Sequence, residues 1–193
     1  LEANPGDVAR FADFAVAGVN RLSLGVQSLN DKLLKFLGRT HSAVDAIRAF
    51  EAGRGKFRST SIDLIYALPN QTVDDWRAEL AGVIALEADH LSLYELSIEP
   101  GAAFARAVER MAWMPLDDET AADLYEATQE LTERAGYSAY EISNHARGVQ
   151  HQSAHNRIYW ASGDWAGVGP GAHGRLTTQG ARIAAEAAEK PGE

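Results

Sequence analysis

The chain has 193 residues, of which 46% are hydrophobic, with a formal net charge of -9 and no cysteine. An acidic balance without a clustered stripe of Lys and Arg excludes a nucleic-acid partner, whose phosphates demand such a stripe. The absence of paired cysteines, of a signal peptide and of any apolar run of about 18 residues argues against the secreted and membrane-spanning classes, so the expected compartment is the cytoplasm.

In chain order, a first strand is expected to end at Glu2 and Ala3, followed by a helix that Gly18 closes. Residues 19–27 read as a strand with Leu22, Leu24 and Val26 on one face. Asn30 precedes a helix over 31–37 with Gly38 behind it, and Ser42 with Asp45 makes a capping-box pattern for a helix over 43–52. Residues 61–66 form a nearly continuous apolar strand broken by Asp63. Thr72 then caps a helix with Asp74 and Asp75 in its first turn, where carboxylates suit the positive end of the dipole. Residues 90–96 alternate as a further strand. Strands separated by helical crossovers predict an α/β fold with a parallel sheet, four βα units in a row. Such a set is half a barrel or one half of a doubly wound sheet. An open half-barrel is expected to expose a sheet edge and an apolar inner face.

From residue 101 the rhythm changes. A helix over 119–135 stopped by Gly136, a strand over 137–143, a glycine-rich segment and a hairpin around Thr178-Gln179-Gly180 predict a second region, 101–193, after a first over 1–100. No Pro- or Ser-rich linker separates them, so they are expected to pack together.

Asp63 is the first candidate for chemistry, since burying a carboxylate unpaired is costly. A structural ion pair or a capped loop would account for it. So would a binding role, because Glu2, Gln27, Asp63 and Glu95 all fall at the C-terminal ends of successive strands, the rim where parallel α/β folds bind ligands. The run Gly167, Gly169 and Gly171 lacks the strand before and helix after that a dinucleotide fingerprint requires, which leaves a tight turn or a ligand loop. His145, His151, His155 and His173 lie close in sequence, but without cysteine or a His-Glu-x-x-His pattern they make a poor zinc set. His41 and His90 read as ordinary surface or packing residues. Residues 155–160 and 167–174 gather two imidazoles, two flat aromatics and several glycines, a combination that points to a large planar ligand. Trp160 by itself reads as a core aromatic of a helix starting near Gln150, and Trp76, Trp113 and Trp165 read as structural.

Taken as a set, Glu2-Ala-Asn-Pro5, residues 18–28, Leu37-Gly-Arg-Thr-His41, residues 61–69, residues 91–101, Tyr140-Glu-Ile-Ser-Asn144 and the two glycine and histidine motifs resemble the HemW-type haem chaperones. These are radical S-adenosylmethionine (SAM) proteins related to oxygen-independent coproporphyrinogen III oxidase. The resemblance implies the last four βα units of a partial (βα)6 radical SAM barrel, then the start of an α+β C-terminal region. It implies SAM contacts at Glu2, Gln27, Arg39, Asp63 and Ser97, with the acids and Gln27 serving ribose hydroxyls or the ammonium and Arg39 the methionine carboxylate. It also implies a 4Fe-4S cluster whose ligands lie outside this chain, about one hundred further residues with three cluster cysteines being expected before Leu1.

Haem is the other implied ligand, with His155 and Tyr159 as candidate axial ligands, Arg157 and Arg175 near its propionates, and haem-receiving apoproteins as partners. Association with a membrane surface is left open. The alternative activity is the oxidase reaction itself, a decarboxylation in porphyrin biosynthesis. One position departs from the family pattern: Ala67 stands where glycine is common before Leu68-Pro69.

Overall fold

The computed structural model describes residues 1–188. Strands β1 (Glu2–Ala3), β2 (Arg21–Gln27), β3 (Ser59–Tyr66) and β4 (His90–Glu95) run parallel in that order. Between them lie helices α1 (Phe11–Val16), α2 (Asp31–Phe36), α3 (Ala43–Gly53) and α4 (Val73–Ile84), and a 3-10 segment at Pro5–Arg10 precedes α1. Helices α5 (Ala103–Glu109) and α6 (Asp118–Arg134) follow. The sheet is then completed on its far side by the short strands β5 (Ser138–Ala139) and β6 (Asn144–Ala146), with β6 antiparallel to β4 and β5 antiparallel to β6.

Local chemistry explains why the helices begin where they do. Ser42 and Thr72 each accept a hydrogen bond from the backbone N–H three residues on, and Asp45 and Asp75 reach back to the cap, so both capping boxes are complete. Each closes two otherwise orphaned donors within one turn, which leaves the start of α3 and α4 little choice.

The two faces of the sheet differ in chemistry. On one, Leu22, Leu24, Ile62, Leu64, Leu91 and Leu93 are buried against Phe11, Phe50, Trp76 and Leu80 of the helical layer. Period-two alternation sends the remaining residues to the opposite face: Arg21, Ser23 and Gln27 of β2, Ser59, Ser61 and Asp63 of β3, and His90 and Ser92 of β4. The inner face is therefore polar, which corrects the expectation of an apolar one. Most of the apolar surface of these strands is spent on the helices, with Ile65 of β3 left on the inner side at the cleft.

Helix α6 packs against α4, where Arg77 and Glu130 form an ion pair at 2.6 Å and Trp76 Nε1 donates to Thr128 Oγ1 at 2.8 Å. The strand expected over 137–143 is not formed. Only Ser138 and Ala139 pair, and the chain then turns back with Tyr140 N–H donating to the Asn144 carbonyl at 3.1 Å. Compact units divide at His151, so α5, α6, β5 and β6 belong with the first four strands, and residue 100 marks the change from parallel to antiparallel pairing. The second unit, Gln152 onward, contains α7 (Ala154–Trp160) and the hairpin of β7 (His173–Thr178) and β8 (Ala181–Glu186), turned by Gln179 and Gly180 with φ of 49° and 79°. Two successive positive φ values match the right-handed twist of the strands.

Ala67 has φ of 57°, in the left-handed region that glycine enters freely. The departure from the family pattern thus falls on a position whose backbone favours glycine, and a Cβ there costs about 1–2 kcal/mol.

Candidate functional site

At the C-terminal ends of β1 to β4 the polar face opens into a cleft of about 540 Å³. Glu2, Gln27, Arg39, Asp63 and Ser97 all line it, together with Glu95 and Tyr94 from the end of β4 and the apolar side chains of Leu37, Ile65 and Phe104. Polar residues as far apart in sequence as Glu2 and Ser97 thus share one hollow, because parallel strands deliver their C-terminal ends to the same edge.

Each polar residue has a local reason for its place. Gln27 closes β2 with φ of 68°, where the register with β3 shifts between Gly25 and Gln27. A Cβ on Gly25 would lie 2.8 Å from Gln27 Nε2, so the missing side chain makes room for the amide. Arg39 follows α2, its backbone N–H donating to the Leu34 carbonyl at 2.9 Å. Its Nε is buried with no hydrogen-bond partner among the described residues, a costly state for a charged donor.

Asp63 is held from two strands: Ser23 Oγ lies 2.8 and 2.9 Å from its two carboxylate oxygens, and Ser61 Oγ lies 3.1 Å from Oδ1. Burial raises its pKa above the ordinary value, the hydroxyls of Ser92, Ser23 and Ser61 pull it back, and Glu2 adds a further push upward. The cleft therefore offers one guanidinium, three carboxylates, an amide and the hydroxyls of Ser97 and Tyr94, beside the apolar wall of Ile65, Leu37 and Phe104. That set suits a ligand with a carboxylate, several hydroxyls or an ammonium, and a flat apolar part.

Sequence reasoning missed what lies behind the cleft. His90 is no ordinary packing residue: it is buried on the inner face with Nδ1 2.8 Å from Ser61 Oγ and Nε2 2.8 Å from the Tyr140 hydroxyl. Burial, with smaller contributions from Arg21, His145 and His151, lowers its pKa to about 3. Arg21, whose pKa burial also lowers, donates to Ser59 Oγ at 3.1 Å and to the His151 carbonyl at 3.0 Å. The available signal was the spacing Ser61-x-Asp63 and His90-x-Ser92 on neighbouring strands, which puts all four on one face.

In the second unit, α7 places His155 and Tyr159 one turn apart, their rings edge to face at 4.6 Å, with Tyr159 also 4.2 Å from the Trp165 ring. No residue of α7 is buried, and Trp160 is 60% exposed, so its reading as a core aromatic is overturned. A seven-residue helix has too little packed over it here to cover the indole. Gly167 packs against the His173 backbone, whose carbonyl oxygen would meet a Cβ at 2.3 Å, and Gly169 and Gly171 have positive φ, so these glycines make a tight reversal. The four neighbouring histidines have separate partners: Gln129 for His145, Ser59 and Asp89 for His151, Tyr159 for His155 and Glu186 for His173. Among the described residues no group of three or more His, Cys, Asp or Glu is placed to hold a metal ion. With no cysteine in the chain, no thiolate set here fits an iron-sulfur cluster.

Residues 1–81 match the family model of the Radical SAM superfamily. Across 186 residues the chain is 42% identical to "Heme chaperone HemW" of Escherichia coli (strain K12), covering 95% of this chain and 48% of that protein. Residues 1–81 are radical SAM domain sequence, and the chain is homologous to the HemW haem chaperones. It is also 45% identical over 184 residues to "Radical S-adenosyl methionine domain-containing protein 1, mitochondrial" of Bos taurus, covering 94% of this chain and 41% of that protein. The chain thus spans a little under half the length of these curated relatives. Among solved structures, the Escherichia coli coproporphyrinogen III oxidase HemN, described as a radical SAM enzyme, superposes with a TM-score of 0.74 at 24% identity, covering 90% of this chain and 43% of that one. The likeness shows the fold: an α/β sheet forming part of a radical SAM barrel. No helix among the described residues is long and apolar enough to cross a membrane.

Proposed function

We propose that this chain is the SAM-binding and haem-handling part of a haem chaperone-like radical SAM protein. The observation that carries the first half is the meeting of Glu2, Gln27, Arg39, Asp63 and Ser97 in one cleft around a buried guanidinium Nε without a partner. Arg39 would pair with the methionine carboxylate of SAM as a charge-assisted contact, and Glu2, Asp63 and Gln27 would take the ribose hydroxyls and the ammonium. SAM bound there supplies the radical chemistry characteristic of the superfamily, while the residues of this chain bind and orient it and wall it from water.

The haem half rests on α7. His155 and Tyr159 share one face, neutral imidazole and phenolate are both haem-iron ligands, and the exposed Tyr159 and Trp160 offer flat surface to a macrocycle. The names carried by the HemW relatives support haem as cargo. The oxidase reading has only the fold likeness to HemN behind it, and a shared fold does not carry a reaction with it.

The test titrates the native gene product with haem and follows the Soret band. In His155→Ala the haem affinity is expected to fall at least tenfold and the band to move. Tyr159→Phe is expected to change the spectrum less. Unchanged spectra and affinity in both variants overturn ligation by α7, and carbon dioxide released from coproporphyrinogen III by the same wild-type sample overturns the chaperone reading in favour of the oxidase.

A further inference from the structure

A chain of hydrogen bonds leads away from the cleft along the inner face of the sheet. Ser61 Oγ lies 3.1 Å from Asp63 Oδ1 and 2.8 Å from His90 Nδ1, and His90 Nε2 lies 2.8 Å from the Tyr140 hydroxyl. The fold imposes this order. Ser61 is the cross-strand partner of His90 in the β3–β4 register, and Tyr140 arrives on the turn between β5 and β6.

Ser61 has a single hydroxyl proton and a neutral imidazole a single N–H, so the directions of these bonds are coupled. A charged Asp63 accepts from Ser61. The Ser61 oxygen then accepts from His90 Nδ1–H, and His90 Nε2 accepts from the Tyr140 O–H. With Asp63 protonated, every bond can reverse: the carboxyl donates to Ser61, Ser61 to Nδ1, and Nε2–H to the phenol oxygen. His90 remains neutral in both arrangements near neutral pH.

We infer that Tyr140, His90 and Ser61 form one hydrogen-bonded relay that ends on Asp63 and fixes its carboxylate toward the ligand of the cleft. Ser61 and His90 are buried, so water is a poor substitute for a missing link. None of the three lines the cleft. They are positioning residues that act through Asp63, and the inference rests on the reading of that cleft as the SAM site.

The charges facing the relay set the sign of its pH dependence. Asp63 faces Glu2 from β1, Arg21 from β2 and Tyr94 from β4, with Arg39 and Glu95 in the same cleft. His90 faces Arg21, His145 on β6 and His151. SAM brings a sulfonium and an ammonium, so it binds the charged form of Asp63 better, and its affinity rises with pH through the Asp63 pKa. Burial raises that pKa and the serine hydroxyls lower it. Deleting a hydroxyl therefore moves the pH midpoint of binding upward.

Two measurements on the native gene product test the relay. In the first, nitrogen-15 histidine labelling reads the tautomer of His90, which is expected to be Nδ1–H at pH 8 in the wild type and to move toward Nε2–H in Tyr140→Phe. In the second, SAM binding is measured by calorimetry from pH 4 to 9. Ser61→Ala is expected to raise the midpoint by about one pH unit, the size of one hydrogen bond to a charged group. Tyr140→Phe should raise it by less, and Asp63→Asn should remove the part of the pH dependence that Asp63 contributes and weaken binding at least tenfold. An Nε2–H tautomer in the wild type at pH 8 overturns the relay. So do unchanged midpoints in Ser61→Ala and Tyr140→Phe while Asp63→Asn still weakens binding, an outcome that leaves the cleft reading standing. If Asp63→Asn binds SAM as the wild type does, the cleft reading falls instead, and the tautomer alone decides the relay.

Discussion

Arg39→Ala in the native gene product is expected to weaken SAM binding about 10–100-fold while leaving folding stability within about 0.5 kcal/mol of the wild type. The two halves of this result have one cause. Arg39 Nε is buried without a partner, so the unliganded protein gains no hydrogen bond from it and loses little when it goes. A bound carboxylate would give that nitrogen and its fork-mates their acceptor. Hydrogen bonds to charged groups contribute about 1.5–3 kcal/mol, and each 1.4 kcal/mol is a factor of ten in affinity. Arg39→Lys keeps the charge but not the planar fork, so it should recover only part of the loss. Calorimetric titration with SAM gives both numbers. An unchanged affinity in Arg39→Ala would remove the guanidinium from the site.

How much of this could be read from the sequence depended on how local each cause was. The capping boxes at Ser42 with Asp45 and Thr72 with Asp75 were legible because donor and acceptor sit three residues apart. Three of the four parallel strands were legible from their apolar patterning, and once the strands are parallel their C-terminal ends share an edge, which gathers Glu2, Gln27 and Asp63. His90 was not legible because its partners, Ser61 and Tyr140, lie 29 and 50 residues away, and only the register reveals them. Residues 137–143 alternate like a strand, yet Tyr140 N–H closes a turn onto the Asn144 carbonyl and only the Ser143 carbonyl reaches β4, accepting from Leu93 N–H, which periodicity alone does not report. Trp160 misled for the opposite reason: an indole in a short helix looks like core when nothing in the sequence says whether anything covers it. The inner face misled too, since an apolar count per strand does not say on which side the apolar residues fall.

The largest expected loss of stability is at Trp76, where Trp76→Ala should cost about 3–5 kcal/mol. The indole is fully buried between β3 and α6, stacked on Tyr66 with ring centroids 5.2 Å apart. Its Nε1–H donates to Thr128 Oγ1 at 2.8 Å, and that hydroxyl donates onward to the Leu124 carbonyl at 2.8 Å. Truncation thus removes a large part of the contact that ties α4 and α6 to the sheet and leaves a cavity too large for local relaxation to close. Two milder variants separate packing from hydrogen bonding. In Trp76→Phe the Thr128 hydroxyl keeps its bond to Leu124 but loses the indole donor, so the loss combines ring volume with one hydrogen bond and should still be well below that of the alanine variant. In Thr128→Val the indole keeps its volume but its N–H is buried without an acceptor, which costs about 1–3 kcal/mol. Urea unfolding of the native gene product, with the midpoints compared at constant slope, ranks the three. Against a total stability of about 5–15 kcal/mol for a typical domain, the alanine variant should lie near the edge of folding. A loss below about 1 kcal/mol there would mean that α4 and α6 are held to the sheet by something other than this indole.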